Sequence, residues 1–350
     1  MFVNKEKMHP ISPPILFKNK KKSFSSSEHS VRTPTLLLQR KQKNESTMEK
    51  TMEKAMEMKL NMNFVNFENT GFPLVEATLH TRKVDFEGYF VVDTGSTDNL
   101  VSFSMREFLN LDNLADDVHQ TIQGIGDLKD CDNYNLSFNI GECSFMERFA
   151  FHKDFDITHY ILDGERVMGI LGSGFLKKHN LVMDYATLSL HSPVREDVPS
   201  AEECQFRFPL DYGLDRLGIS LLGIAKDKDN CFLMVADSGC NHSTITQHCI
   251  ESSGFKSSEV TDYYMVQGVD RSGNLAEMKE VSIGLITMDA NDVTAIIDHE
   301  MKFLVVSKQD YLCVIEEDAP IAGLLGNDFL YHNKVILDYN LRCIYSRKGA

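Results

Sequence analysis

From about residue 62 the chain is written in short apolar or alternating runs. FPLVEATLH (72–80), GYFVVD (88–93), YNLSFNI (134–140) and LVMDYATLSLH (181–191) each read this way, bounded by Gly, Asn and Asp. Successive side chains of an extended backbone point to opposite faces. Alternation therefore marks a half-buried strand, and a brief unbroken apolar run a fully buried one. At HSPVREDVPSAEE (191–203) the texture breaks into proline and charge, then resumes in QFRFPLDY, LGISLLGIA, CFLMVAD, EVSIGLITM and AIIDHEMKFLVVS. Helical spacing is confined to SMREFLNLDNL (104–114) and GFLKKHN (174–180). The pattern predicts a mostly β chain. Its N-terminal lobe spans 62–192, a linker 193–204 and a C-terminal lobe 205–350. Residues 1–61 precede it as a basic tail (PISPP, KNKKK, SFSSS) followed by MEKTMEKAMEMKL, which can pair Glu with Lys on a short helix.

The two lobes repeat one another. Asp93-Thr94-Gly95-Ser96 is matched by Asp237-Ser238-Gly239-Cys240, and IQGIG (122–126) by VQGVD (266–270). GILGSGFLKKHNLVMDY (169–185) is matched by GLLGNDFLYHNKVILDY (323–339). From Asp93 to Gly124 is 31 positions, as it is from Asp237 to Gly268. One Asp-x-Gly is an ordinary turn. Three collinear matches with one spacing preserved mark a duplicated domain.

An apolar strand ending in Asp-Thr/Ser-Gly, followed later by Gly-(Ile/Leu)-Leu-Gly, a short helix and another strand, resembles the aspartic peptidases. The resemblance spans residues 62–350, and the Gly-(Ile/Leu)-Leu-Gly-x-x-Phe-Leu block is similar to the bacterial retropepsin-like proteins. It implies two β-barrel lobes with a short helix each, related by a pseudo-twofold axis, with a cleft between them. It also implies an endopeptidase in which Asp93 and Asp237 form a dyad and activate water. Two carboxyls about 3 Å apart cannot both ionise, so one serves as base and the other as acid. Thr94 and Ser238 are expected to bond across the axis, and Gly95 and Gly239 to allow close approach. Ser96 and Cys240 follow the glycines. In the pepsin pattern a serine there bonds the catalytic carboxylate, whereas a thiol donates weakly, so Asp93 is expected to be the more acidic member. Gln123, Gly124, Ile125 and Gly126, with Gln267 and Gly268, fall where the family places hairpin flaps over the substrate. No Tyr lies near 121–130, which favours two flaps over the pepsin type.

Other residues have plainer readings. Asp184 and Asp338 close strand ends. Gly169, Gly172, Gly323 and Gly326 pack behind the catalytic loops. His179 and His332 serve surface or capping roles. Cys240 is either a reactive thiol or an inert buried one, and His242 is the one odd group beside it.

Composition narrows the partners. Residues 1–45 hold ten Lys/Arg and three Asp/Glu, leaving 26 basic and 48 acidic residues for the remainder. A body that acidic argues against nucleic acid, whose phosphates need a positive surface. Eight cysteines show no metal-ligand spacing, so neither a metal nor a cofactor is expected. Most of the cysteines are read as reduced thiols. No run of about 18 apolar residues predicts a membrane span, and no apolar core of about 7–15 residues marks a secretory signal. A cytoplasmic monomer acting on an extended peptide is the expectation. The alternative is a pseudoprotease that binds peptides without cleaving them, suggested by Cys240 and by the lack of a second-lobe counterpart to Gly126.

Overall fold

The computed structural model describes residues 59–81, 84–109, 116–123, 128–155, 157, 167–195, 197–210, 218–227, 230–267, 273–289, 292–306 and 321–349. Those from Leu60 onward belong to one compact unit. The tail and most of the repeat that follows it lie outside the described residues.

The first sheet comprises β2 (Leu74–His80), β3 (Asp85–Asp93), β4 (Asn99–Val101), β5 (Asp116–Gln123), β6 (Leu128–Ile140), β7 (Cys143–Phe151) and β8 (Val167–Gly172). Its order is β2-β3-β8-β4-β7-β6-β5, and a further β2–β6 pairing closes six of the strands into a barrel. The second sheet comprises β12 (Leu221–Asp227), β13 (Asn230–Ala236), β14 (Thr244–Thr246), β15 (Lys256–Ser257), β16 (Asp262–Gln267), β17 (Gly273–Asp289), β18 (Asp292–Val306) and β19 (Ile321–Leu325). Its path β12-β13-β19-β14-β18-β17 closes through β12–β17. The two barrels share one strand order, with β2, β3, β8, β4, β7 and β6 answering to β12, β13, β19, β14, β18 and β17. The mostly β, two-lobed architecture is the one the sequence predicts.

A third sheet joins the lobes. Its order is β1 (Asn61–Asn63), β10 (Ser189–His191), β9 (Val182–Asp184), β20 (Ile336–Asp338), β21 (Cys343–Arg347), β11 (Cys204–Pro209). Each lobe gives three strands. Where they meet, Leu337 pairs with Met183, flanked by Ile336 with Asp184 and Asp338 with Val182. LVMDYATLSLH reads as one run in the sequence but folds as the hairpin β9–β10. Its turn forms because Asp184 Oδ1 accepts the N–H groups of Ala186 and Thr187. Non-glycine residues with left-handed backbone recur 154 positions apart: Asn180 (φ 51°) with Lys334 (φ 48°), and Leu188 (φ 51°) with Arg342 (φ 53°).

Burial follows the pattern. β7 alternates buried and exposed over most of its length, and β8, between two strands, is buried at all six positions. Phe90, Phe138, Phe149 and Phe175 pack with ring centroids 5.2–6.0 Å apart. Burying each such side chain stabilises the fold by about 1.5–3 kcal/mol.

Short helices follow the strands. α1 (Phe67–Thr70) precedes β2. α2 (Arg106–Leu109) follows β4 through a 3₁₀ turn, and α4 (Gln247–Ser253) follows β14 at the matching place in the second lobe. α3 (Ser173–Lys178) follows β8 and α5 (Asn327–His332) follows β19. α2 and α3 fall on the two stretches of helical spacing in the first lobe, and α5 on the repeat of the second.

Candidate active site

β3 and β13 each run from the barrel core to an aspartate at the lobe boundary. Thr94 and Ser238, the next residues, are completely buried. Thr94 N–H donates to Ser238 Oγ (2.8 Å), and Ser238 N–H donates to Thr94 Oγ1 (3.0 Å). Thr94 Oγ1 donates to the Ala236 carbonyl (2.5 Å) and Ser238 Oγ to the Val92 carbonyl (2.7 Å). Each hydroxyl therefore accepts once and donates once, so both are satisfied.

The glycines set the approach of the carboxyls. A Cβ on Gly95 would lie 2.5 Å from the Asp237 carboxyl carbon, and one on Gly239 would lie 2.3 Å from that of Asp93. Each aspartate thus rests against the other loop's glycine, and the two carboxyls lie within hydrogen-bonding reach of each other. Burial raises Asp93, although hydrogen bonds from Asp237 and from backbone N–H groups oppose it. Asp237 is held well above the ordinary carboxylate range by burial and by the neighbouring Asp93 charge. Two carboxyls so placed can hold one proton between them.

The side-chain contact expected to make Asp93 the more acidic member is not observed. Ser96 Oγ donates to the Asp98 carbonyl (2.8 Å), not to Asp93, and Cys240 Sγ donates to the His242 carbonyl (2.8 Å). Backbone groups do the work instead. Gly95 N–H and Ser96 N–H both reach Asp93 Oδ1, at 2.9 and 3.1 Å. Gly239 N–H reaches Asp237 Oδ1 at 2.9 Å, while Cys240 N–H turns to the Asp237 main-chain oxygen (3.2 Å). Cys240 itself is buried and its thiol is pushed far up by desolvation, which makes it inert rather than reactive.

Behind the loops, added Cβ atoms on Gly169, Gly172, Gly323 and Gly326 would lie 2.0–2.7 Å from backbone oxygens of residues 98–100 and 240–244. Two residues at the helix starts, both missed by sequence reasoning, brace the loops. Ser173 Oγ lies within hydrogen-bonding distance of the Ser96 carbonyl (2.9 Å) and of that of Gly218, sharing its one proton between them. Asn327 Nδ2 donates to the Ser238 carbonyl (2.8 Å). Tyr185 and Tyr339, also missed, lie fully buried beneath the dyad. Tyr185 Oη donates to Asn327 Oδ1 (2.5 Å), and Tyr339 Oη pairs with Ser220 Oγ (2.8 Å). The signal was present, because VMDY and ILDY repeat the tyrosine as well as the aspartate. Asp338 Oδ1 accepts the Leu341 N–H at 2.8 Å, a turn like that of Asp184.

β5 and β6 form a hairpin ending at the pair Gln123–Leu128, and β16 and β17 one ending at Gln267–Gly273. The flap residues Gly124, Ile125, Gly126 and Gly268, and the side chains of Gln123 and Gln267, lie outside the described residues. The second hairpin packs its inner face (Tyr264, Val266, Ala276, Met278) over Cys240. His242 lies between it and α5, its ring 6.2 Å from Tyr264 and its Nδ1 3.8 Å from Asp328 Oδ2. His179 bonds Glu147 (2.7 Å), and His332 is exposed at the end of α5.

No family model matches the chain, and no curated protein sequence matches it. Among solved structures it is similar to the aspartic proteinase from Irpex lacteus, at 11% identity and a TM-score of 0.44, over 83% of this chain and 98% of that one.

Proposed function

We propose that this chain is an aspartic-type endopeptidase. The observation that carries the reading is one carboxyl from each lobe, pressed against the other's glycine and within hydrogen-bonding reach of its partner. In the reaction Asp93 takes a proton from water as the oxygen attacks the peptide carbonyl carbon. Asp237 gives its proton to the carbonyl oxygen. The tetrahedral intermediate then expels the amine, which leaves with the proton held by Asp93, while Asp237 recovers one from the collapsing hydroxyl. Thr94, Gly95, Ser96, Ser238, Gly239 and Cys240 hold the loops. An extended peptide would lie beneath the hairpins β5–β6 and β16–β17, paired through its backbone. Gln123, Gly124, Ile125, Gly126, Gln267 and Gly268 are assigned to that contact.

The test is cleavage of a mixed peptide library between about pH 3 and 8 by wild type, Asp93→Asn and Asp237→Asn. Loss of cleavage in both variants supports the reading. Cleavage that survives either substitution overturns it. Peptide binding without cleavage by the wild type would establish the pseudoprotease instead.

A further inference from the structure

The dyad is braced differently in its two halves. In the second lobe four groups line up head to tail. Tyr185 Oη donates to Asn327 Oδ1 at 2.5 Å, and Asn327 Nδ2 donates to the Ser238 carbonyl at 2.8 Å. That carbonyl shares a peptide unit with the N–H of Gly239, which donates to Asp237 Oδ1 at 2.9 Å. The chain runs from the first lobe, through two amides, to a carboxyl in the second. Tyr185 is 1% exposed and Asn327 3%. The matching position in the first lobe holds Ser173, whose hydroxyl reaches the Ser96 carbonyl. That peptide unit carries the N–H of Thr97, whereas Asp93 Oδ1 takes its bonds from Gly95 and Ser96.

We propose that Tyr185 is a positioning residue for Asp237, acting across the lobe boundary through Asn327 and the Ser238–Gly239 peptide. Each amide in the chain accepts at oxygen and donates at nitrogen, so every bond polarises the next in one direction, toward the carboxylate. A stronger Gly239 N–H bond favours the ionised form of Asp237 and offsets part of what burial and Asp93 do to it. The groups facing Asp237 are Asp93 from β3, Tyr185 from the turn after β9 and Cys240 from its own loop. Among these described residues, Asp93 is the one whose carboxyl couples to that of Asp237. The Tyr185 hydroxyl also lies within reach of the Ser238 side chain, a second route that the test separates. The inference rests on the proposed dyad only for its catalytic consequence, because the relay itself is a statement about one carboxyl's proton.

The experiment is an NMR titration of carboxyl-¹³C aspartate in the full chain, with Asp93→Asn and Asp237→Asn used to assign the pair. Tyr185→Phe removes the first donor. Asn327→Ser installs the residue the first lobe carries at that place, and keeps the test available if the tyrosine variant fails to fold. Each is expected to move the Asp237 titration to higher pH by on the order of a few tenths of a unit, leaving Asp93 nearly in place. The double variant should move no further than either single one. Tyr339→Phe, which loses only its partner Ser220, should leave Asp237 unmoved. An unchanged Asp237 in Tyr185→Phe, an equal movement in Tyr339→Phe, or additive shifts in the double variant would overturn the relay. If cleavage is measurable, its alkaline limb moves with Asp237. If there is no cleavage while the NMR shift appears, the relay stands and the peptidase reading falls.

Discussion

At the scale of single residues, two glycines and two carboxyls determine one another. Gly95→Ala or Gly239→Ala pushes a methyl group into the opposite carboxyl. Either should abolish cleavage and destabilise by roughly 1–3 kcal/mol, as overpacked sites do, read from urea unfolding. The raised Asp237 carries a pH signature of opposite sign to a salt-bridged acid. Its folded value lies above its unfolded one, so its contribution to stability is complete below the unfolded value and is lost as pH rises through the folded one. Asp237→Asn should therefore raise Tm at neutral pH, with a gain that vanishes in acid, as calorimetry across pH will show. That Asp93 and Asp237 would meet was legible because Asp-x-Gly is local in sequence and written twice. The partners of Ser96 were not, because the angle of one loop decides whether its N–H or its hydroxyl meets the carboxylate. Tyr185 and Asn327 are 142 positions apart, and no periodicity reports such a contact.

At the scale of elements, β8 and β19 thread between the strands that flank each catalytic loop, so their glycines face backbone at distances where no side chain fits. Gly323→Ala would set a Cβ 2.0 Å from the Thr244 carbonyl oxygen. It should cost roughly 1–3 kcal/mol and lower kcat through a displaced loop even where folding survives. α3 is fastened to β7 by Glu147, whose carboxylate meets Lys178 (2.8 Å) and His179 (2.7 Å). Burial would raise this carboxyl, but the hydrogen bonds and charges of His179 and Lys178 prevail and hold it below its usual range. Its contribution is therefore present above the unfolded value and is lost as pH falls through the folded one. Glu147→Gln should lower Tm near neutrality and flatten the acid side of the stability profile, the reverse of Asp237→Asn. The long strands were visible in the alternation of apolar residues. β9, β10 and β20, at three residues each, are too short to show a period and merged with their turns.

At the scale of the whole molecule, the linking sheet makes each lobe the covering of the other. Residues 60–192 alone would leave β9 without β20 along a buried edge, and would leave the Thr94 hydroxyl without Ala236. Exposed edges of this kind recruit a substitute strand. The isolated first lobe should therefore pair with a second copy of itself or aggregate, and sedimentation at several concentrations distinguishes either from a stable monomer. Duplication was readable from three motifs. That it extends into a shared sheet was not, because a pairing between copies leaves no mark within either one.

The four left-handed residues at matched places in the two lobes bear on what duplication conserves. Asn180 answers to Lys334 and Leu188 to Arg342, with no side chain in common and φ within 5° in each pair. Outside Gly and Asn this conformation is costly, by about 1–2 kcal/mol per residue, yet the expense is met three times, at Leu188, Lys334 and Arg342. Inheritance here has guarded a dihedral angle while the letters drifted. Ancestry in such a protein is better traced by where the chain bends the wrong way than by which amino acid does the bending.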